Sequence, residues 1–156
     1  MELSRNLKIE SVSRLEPTAP RRVGVRQSVH DAVELMRGER VGCVLVTDEG
    51  RLVGIFTERD LLTRVLAVGR PLSAAIGSCM TPEPESVDCN DPIRLAILKM
   101  ERGGFRHLPV IDAQCRPIGI LSAKRIIGWV VSHFPHIVHN LPPDADQVAA
   151  REQEGA

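Results

Sequence analysis

Aromatic residues are scarce: the chain has no tyrosine, three phenylalanines and one tryptophan, 3% in all. Proteins that hold single-stranded nucleic acid stack its bases on such rings, so that class is poorly served here. Charge of one sign is also lacking, since 20 Lys and Arg face 20 Asp and Glu for a formal net charge of zero. A nucleic-acid binder needs a basic footprint, and none is expected. No apolar run approaches the roughly 20 residues that cross a bilayer, and Met1-Glu2-Leu3-Ser4-Arg5 opens no signal-peptide core. A cytoplasmic protein with no membrane partner is the expectation. The cysteines, Cys43, Cys79, Cys89 and Cys115, show no C-x-x-C spacing, which argues against a structural zinc site and for four reduced thiols.

Apolar residues make up 43% and charged residues 26% of 156, close to the globular average. A domain of this length buries roughly 70% of its unfolded surface, enough for a core without staples. Residues 1 to 20 carry scattered apolar side chains and end in Pro17 and Pro20, which a helix cannot pass through; they read as an arm packed on the first folded unit. Arg22 to Val25 suits a short edge strand. Ser28 then stands as an N-cap with Asp31 three residues on, and Val29, Ala32, Val33 and Met36 make one helical stripe to about Arg37, with Gly38 as the stop. Val41 to Val46 is an almost continuous apolar run, as in a strand buried on both faces. Asp48-Glu49-Gly50 turns the chain into a second strand, Leu52 to Phe56.

That strand runs into Gly54-Ile55-Phe56-Thr57-Glu58-Arg59-Asp60, where a hydroxyl and a carboxylate sit three apart at the start of a helical pattern. Two readings are open at this point. Thr57 is a good N-cap and Asp60 a favourable first-turn acid; equally, the pair beside unpaired backbone N–H groups forms a cradle for a sugar phosphate. The stretch occurs twice. Gly119-Ile120-Leu121-Ser122-Ala123-Lys124-Arg125 repeats the Gly, the apolar pair and the hydroxyl 65 residues later. Upstream, Ile93, Ala96, Ile97 and Met100 match Val29, Ala32, Val33 and Met36 at an offset of 64. The change in offset falls in the turn where Asp112 to Arg116 faces Asp48 to Arg51, a place that tolerates insertion. Each unit ends in an amphipathic stripe, Leu61, Leu62, Val65 and Leu66 in one and Ile126, Ile127, Val130 and Val131 in the other. Gly69, Pro71, Thr81-Pro82 and Pro84 break up a short connection, after which Asn90 or Asp91 is expected to cap a helix with Pro92 in its first position.

Two units ordered strand, helix, strand, strand, helix, each with this junction, and Arg106-His107-Leu108-Pro109-Val110-Ile111-Asp112 in the second, resemble a tandem pair of CBS domains, also called a Bateman module. The resemblance implies an α/β (α+β) fold of two repeated units, each a small mixed sheet with helices on one side, packed as a pseudo-two-fold pair. The expected division is an N-terminal arm (1–10), a first CBS domain (11–72), a second (73–134) and a loosely docked tail (135–156). It implies a regulatory, non-enzymatic module, of the energy-sensing kind, that binds an adenosine-containing ligand: AMP, ADP, ATP or S-adenosylmethionine. The regulated target is expected to be a separate protein. Thr57 and Asp60 would hold the ribose, strand residues near Val23 the adenine, and the cationic pair Arg106 and His107 the phosphates. At the second junction Ser122 is kept but Arg125 replaces the aspartate. Arginine donates and cannot accept, so that ribose site is expected to be impaired and one principal site to remain. The family also implies a homodimer through the terminal helices, with Trp129 as a second apolar face to be covered. The rival reading is a dimerisation scaffold with no nucleotide site.

Two other constellations compete poorly. His133, His136 and His139 lie three apart, but Pro135 interrupts the helix and no cysteine or acid stands at ligand spacing, so no metal is expected. Cys43 and His107 hold equivalent places in the two repeats, yet Cys43 lies in an apolar run, a poor setting for a nucleophile.

Overall fold

A computed structural model describes residues 2–139. The chain forms two compact units, one up to Ile126 and one from Ile127.

In the first unit, helix α1 (Glu2–Ile9) and a short 3-10 turn (Val12–Leu15) precede strand β1 (Arg22–Gly24). Helix α2 (Val29–Glu39) begins on a reciprocal capping box, in which the Asp31 N–H donates to Ser28 Oγ and the Ser28 N–H to Asp31 Oδ2, both at 3.1 Å. The helix passes through Gly38, the expected stop. It ends at Arg40, whose φ of 55° places a left-handed residue where the second repeat has Gly104 at 65°. Strands β2 (Cys43–Asp48) and β3 (Arg51–Thr57) form a hairpin, and β4 (Thr81–Pro82) closes a sheet of order β1-β2-β3-β4. β1 runs parallel to β2, the other neighbours antiparallel. In the second repeat β5 (Val87–Asp88), helix α4 (Ile93–Gly103), β6 (His107–Ile111) and β7 (Pro117–Ser122) give a sheet of order β5-β6-β7 with the same parallel and antiparallel pairing. Even the irregularity in the hairpin recurs, after Val46 and after Val110. The α4 cap differs from expectation. Pro92 itself is the N-cap, while Asp91 Oδ2 accepts from the Asp88 N–H at 2.9 Å.

The apolar run in β2 serves two interiors. Val44 and Val46 point into the core formed with Val23, Val29, Ala32, Met36, Phe56, Val65 and Ile76. The alternate residues Cys43 and Leu45 pack with Ile55 and, from the second repeat, Ile120. Burial on both faces explains why no polar residue interrupts the run.

The segments leading into the repeats are exchanged. Thr81, leading into the second repeat, pairs with Ile55 of the first sheet; Thr18, leading into the first, pairs with Ile120 of the second. The arm therefore packs on the second repeat and not on the first: α1 lies against α4, Val12 N–H donates to Asp91 O at 2.8 Å and Ser13 N–H to Cys89 O at 2.9 Å. The exchange accounts for both motif glycines. A Cβ on Gly119 would stand 2.9 Å from Pro17 Cβ, and one on Gly54 would collide with the Met80 side chain. Each glycine lets the crossing segment approach the strand.

After Thr57 one helical turn, α3 (Glu58–Asp60), widens into i→i+5 turns over Leu61–Leu66, with Ala67 N–H donating to Leu62 O at 2.9 Å. A regular helix from Asp60 was expected. Only Val65 of its stripe is buried, while Leu62 and Leu66 are 60% and 56% exposed.

Helix α5 (Ala123–His133) continues into the second unit, where α6 (Pro135–His139) follows. Pro135–His139 was expected to be tail; the remainder of that expectation, 140–156, lies outside the described residues. Trp129 stacks on His133 with ring centroids 4.6 Å apart and meets Phe134 edge-on at 5.8 Å. These contacts cover the indole from within, so it is not the bare apolar face anticipated for Trp129. Ile127 and Val131, at 62% and 43% exposure, fill that description instead.

Candidate functional site

Extended backbone at Thr57 (φ −121°, ψ 170°) ends β3 and turns its side chain back over α3. Asp60 N–H donates to Thr57 Oγ1 at 3.3 Å; Thr57 N–H and Thr57 Oγ1–H both donate to Asp60 Oδ2, at 2.9 and 3.0 Å. The capping reading of this pair is therefore correct. It is also incomplete, because Asp60 Oδ1 accepts from Thr81 Oγ1 at 3.0 Å and lies 3.3 Å from Arg64 Nε. Thr81 belongs to β4, the segment leading into the other repeat. At 7% exposure Asp60 is the buried charged residue among those described. A buried carboxylate is costly unless hydrogen-bond donors satisfy its oxygens, and here they come from both repeats.

On the other side of the seam, His107 opens β6 opposite Ser122, and Ala123 N–H donates to Arg106 O at 2.8 Å as Glu58 N–H does to Gly42 O at 3.1 Å. A Cβ placed on Gly42 would lie 3.8 Å from the Glu58 carboxylate and 3.9 Å from His107 Cε1. The structure thus brings His107 of the second repeat toward Glu58, the residue after Thr57. Burial lowers the His107 pKa, against the pull of Glu58 and with the help of Arg106. Near neutral pH the imidazole is uncharged. The expected cationic pair reduces to one cation, the exposed Arg106, beside a neutral hydrogen-bonding ring.

Val23 is not brought to this place. Its side chain is 3% exposed in the first core, on β1, and both β2 and β3 separate it from Thr81. The Val23 side chain thus belongs to the first core and does not stand beside Thr57, Asp60 and Thr81. Ser122 Oγ accepts from Arg125 N–H at 3.2 Å, a cap like that of Thr57. Arg125 itself turns to the arm, with Nε donating to Leu15 O at 2.9 Å and Nη2 3.8 Å from Glu16. An arginine there clamps the arm, where the first junction has a carboxylate collecting donors.

Thr81 and Arg64 are functional candidates that sequence reasoning passed over. Thr81 had a signal: Thr18 stands 63 residues earlier, also next to a proline, Pro17 before it where Thr81 has Pro82 after it. Arg64 had none, because Trp129 takes its place in the second repeat.

Burial, with the Glu58 charge second, pushes the Cys43 thiol up to about 12. Thiols this buried are poor nucleophiles. Among the described residues no group of three His, Cys, Asp or Glu is placed to hold a metal, and His133 Nδ1 lies 2.9 Å from Trp129 O. His139's side chain falls outside the description. No helix among the described residues is long and apolar enough to cross a membrane.

Fold and junction together define a two-repeat module built around a polar seam. The chain belongs to the CBS domain family, whose profile matches residues 17–67 and 76–132. It is 32% identical over 135 residues to the meiotically up-regulated gene 70 protein of Schizosaccharomyces pombe, which covers 86% of this chain and 17% of that protein. It is 31% identical over 100 residues to the CBS domain-containing protein YhcV of Bacillus subtilis, covering 64% of this chain and 71% of YhcV. The chain thus spans about a sixth of the length of the yeast relative and most of the bacterial one. Among solved structures, CBS domain protein PAE2072 from Pyrobaculum aerophilum, complexed with AMP, superposes with a TM-score of 0.69 at 25% identity, over 74% of this chain and 89% of that one.

Proposed function

We propose that the chain is a regulatory module that binds an adenosine-containing ligand at the Thr57–Asp60–Thr81 junction and passes the bound state to a separate protein. The observation that carries this reading is the buried Asp60 carboxylate, reached by donors from both repeats. A ribose diol presents two hydroxyl donors to such a carboxylate, and Arg106 supplies charge for phosphate. The AMP complex of PAE2072 makes AMP the first ligand to test, ahead of ADP, ATP and S-adenosylmethionine. The module has no catalytic step of its own in this reading. Titration calorimetry is expected to give one AMP per chain, because Arg125 removes the carboxylate from the second junction.

One observation favours the scaffold reading: Asp60 is already supplied with protein donors and needs no ligand to be stable. Absence of both heat and thermal stabilisation with all four ligands would select it, since a ligand of the native state must raise stability.

The homodimer is proposed on separate grounds. Leu62 and Leu66 are exposed, and so are Ile127 and Val131, their counterparts in the repeat. Two amphipathic segments that leave matching apolar residues bare fit a symmetric association. Light scattering at micromolar concentration should give twice the chain mass; a monomer rules the dimer out.

A further inference from the structure

Three hydrogen bonds and an ion pair leave Asp60 little acceptor capacity for a ligand. Oδ2 takes two hydrogen bonds from Thr57, while Oδ1 takes one from Thr81 and faces Arg64 Nε. A carboxylate has about four acceptor positions, so one remains on Oδ1, on the side where Arg64 Nε stands as an ion pair, and a diol with two hydroxyls has to take that place from it. The distances and exposures show that Arg64 is the group able to give way. Thr57 and Thr81 are part-buried donors at 2.9–3.0 Å, whereas Arg64 is the longest contact, at 3.3 Å, and its side chain is 46% exposed. Arg64 has a solvated place to go, and the threonines do not.

Arg64 holds a second group. Its Nη1 donates to Met80 O at 2.8 Å, the carbonyl immediately before Thr81. One guanidinium thus spans the first repeat's motif carboxylate and the backbone that enters the second repeat. It stands in the i→i+5 segment Leu61–Leu66, a helix type that recurs at functional sites. We propose that Arg64 is the affinity-setting residue of this junction: it competes with the ligand's hydroxyls for Asp60, and on leaving it also releases the Met80 carbonyl. This rests on the adenosine-binding reading above. Release at Met80 links occupation of Asp60 to the hold on the segment joining the two repeats, which gives the module a local change to transmit.

Calorimetric titration of the full chain with AMP, wild type against Arg64→Met, tests it. Methionine keeps an apolar stem and removes the guanidinium. Losing a competing, half-exposed ion pair should tighten AMP binding about two- to fivefold. Equal or weaker binding by the variant, with the wild type binding, overturns the role of Arg64 and leaves the adenosine reading standing. Binding by the variant alone supports both; if neither binds AMP, the titration is repeated with ADP, ATP and S-adenosylmethionine, and binding of none of the four by either chain overturns the adenosine reading and this inference with it. Arg64→Lys keeps the charge but lacks the fork that spans Asp60 and Met80, so its affinity should fall between the two, and it decides the matter if Arg64→Met melts early. Amide hydrogen exchange adds a readout free of nucleotide. Faster exchange over residues 79–81 in the folded variant is expected, and unchanged exchange there counts against the hold on Met80.

Discussion

Asp60→Ala is expected to weaken AMP binding about ten- to a hundredfold or more in titration calorimetry, since removing one partner of a charge-assisted hydrogen bond costs about 1.5–3 kcal/mol. The same change leaves Thr57 N–H and Thr81 Oγ1–H without their acceptor in a buried place. Orphaned donors of this kind cost about 1–3 kcal/mol. Melting should therefore fall by roughly 2–12 °C for a chain of this size. Binding has to be measured well below that transition, with circular dichroism confirming the fold. Affinity indifferent to the substitution, or two equal sites per chain, would overturn the placement of the ribose. A large loss of stability with unchanged affinity would reduce Asp60 to a clasp between repeats.

Cys43 in the native chain is expected to react with a thiol reagent about a thousandfold more slowly than an ordinary cysteine at neutral pH. Only the thiolate reacts, and raising the pKa from the ordinary 9.0 to about 12 lowers the thiolate fraction by that factor. Five per cent exposure slows it further. Peptide mapping after timed labelling distinguishes Cys43 from the more accessible Cys89 and Cys115, and denaturant should restore its ordinary rate. Fast native labelling would falsify the buried assignment and reopen nucleophilic chemistry with His107. A pH dependence accompanies this. The folded chain keeps the proton to higher pH than the unfolded chain does, so the Cys43 contribution to stability is complete below the ordinary thiol range. It is lost as pH climbs toward about 12.

Features that depend on neighbours along the chain were legible in the sequence. The duplication, the Ser28–Asp31 capping box, the run over Val44 to Val46 buried on both faces and the Thr57–Asp60 contact all involve residues a few positions apart, where helical and strand periods dictate geometry. The loss of a carboxylate at Arg125 was equally plain, because identity alone decides whether a side chain accepts or donates. Cap choices between adjacent candidates were less secure: Pro92 took the place expected of Asn90 or Asp91, and α2 ran past Gly38. One residue either way costs little at a helix end.

Only the tertiary structure decided what Asp60 and Arg125 hold. Thr81 lies 21 residues from Asp60, Leu15 lies 110 from Arg125, and Thr18 lies 102 from Ile120. No local period records such pairs. They arise because each leading segment crosses to the other repeat, which put the arm on the wrong partner in the sequence reading. Burial supplied the remaining difference. The charge of His107 and the reactivity of Cys43 depend on how much water and which carboxylate surround them, and both follow from the packing of Glu58, Gly42 and β6 across the seam.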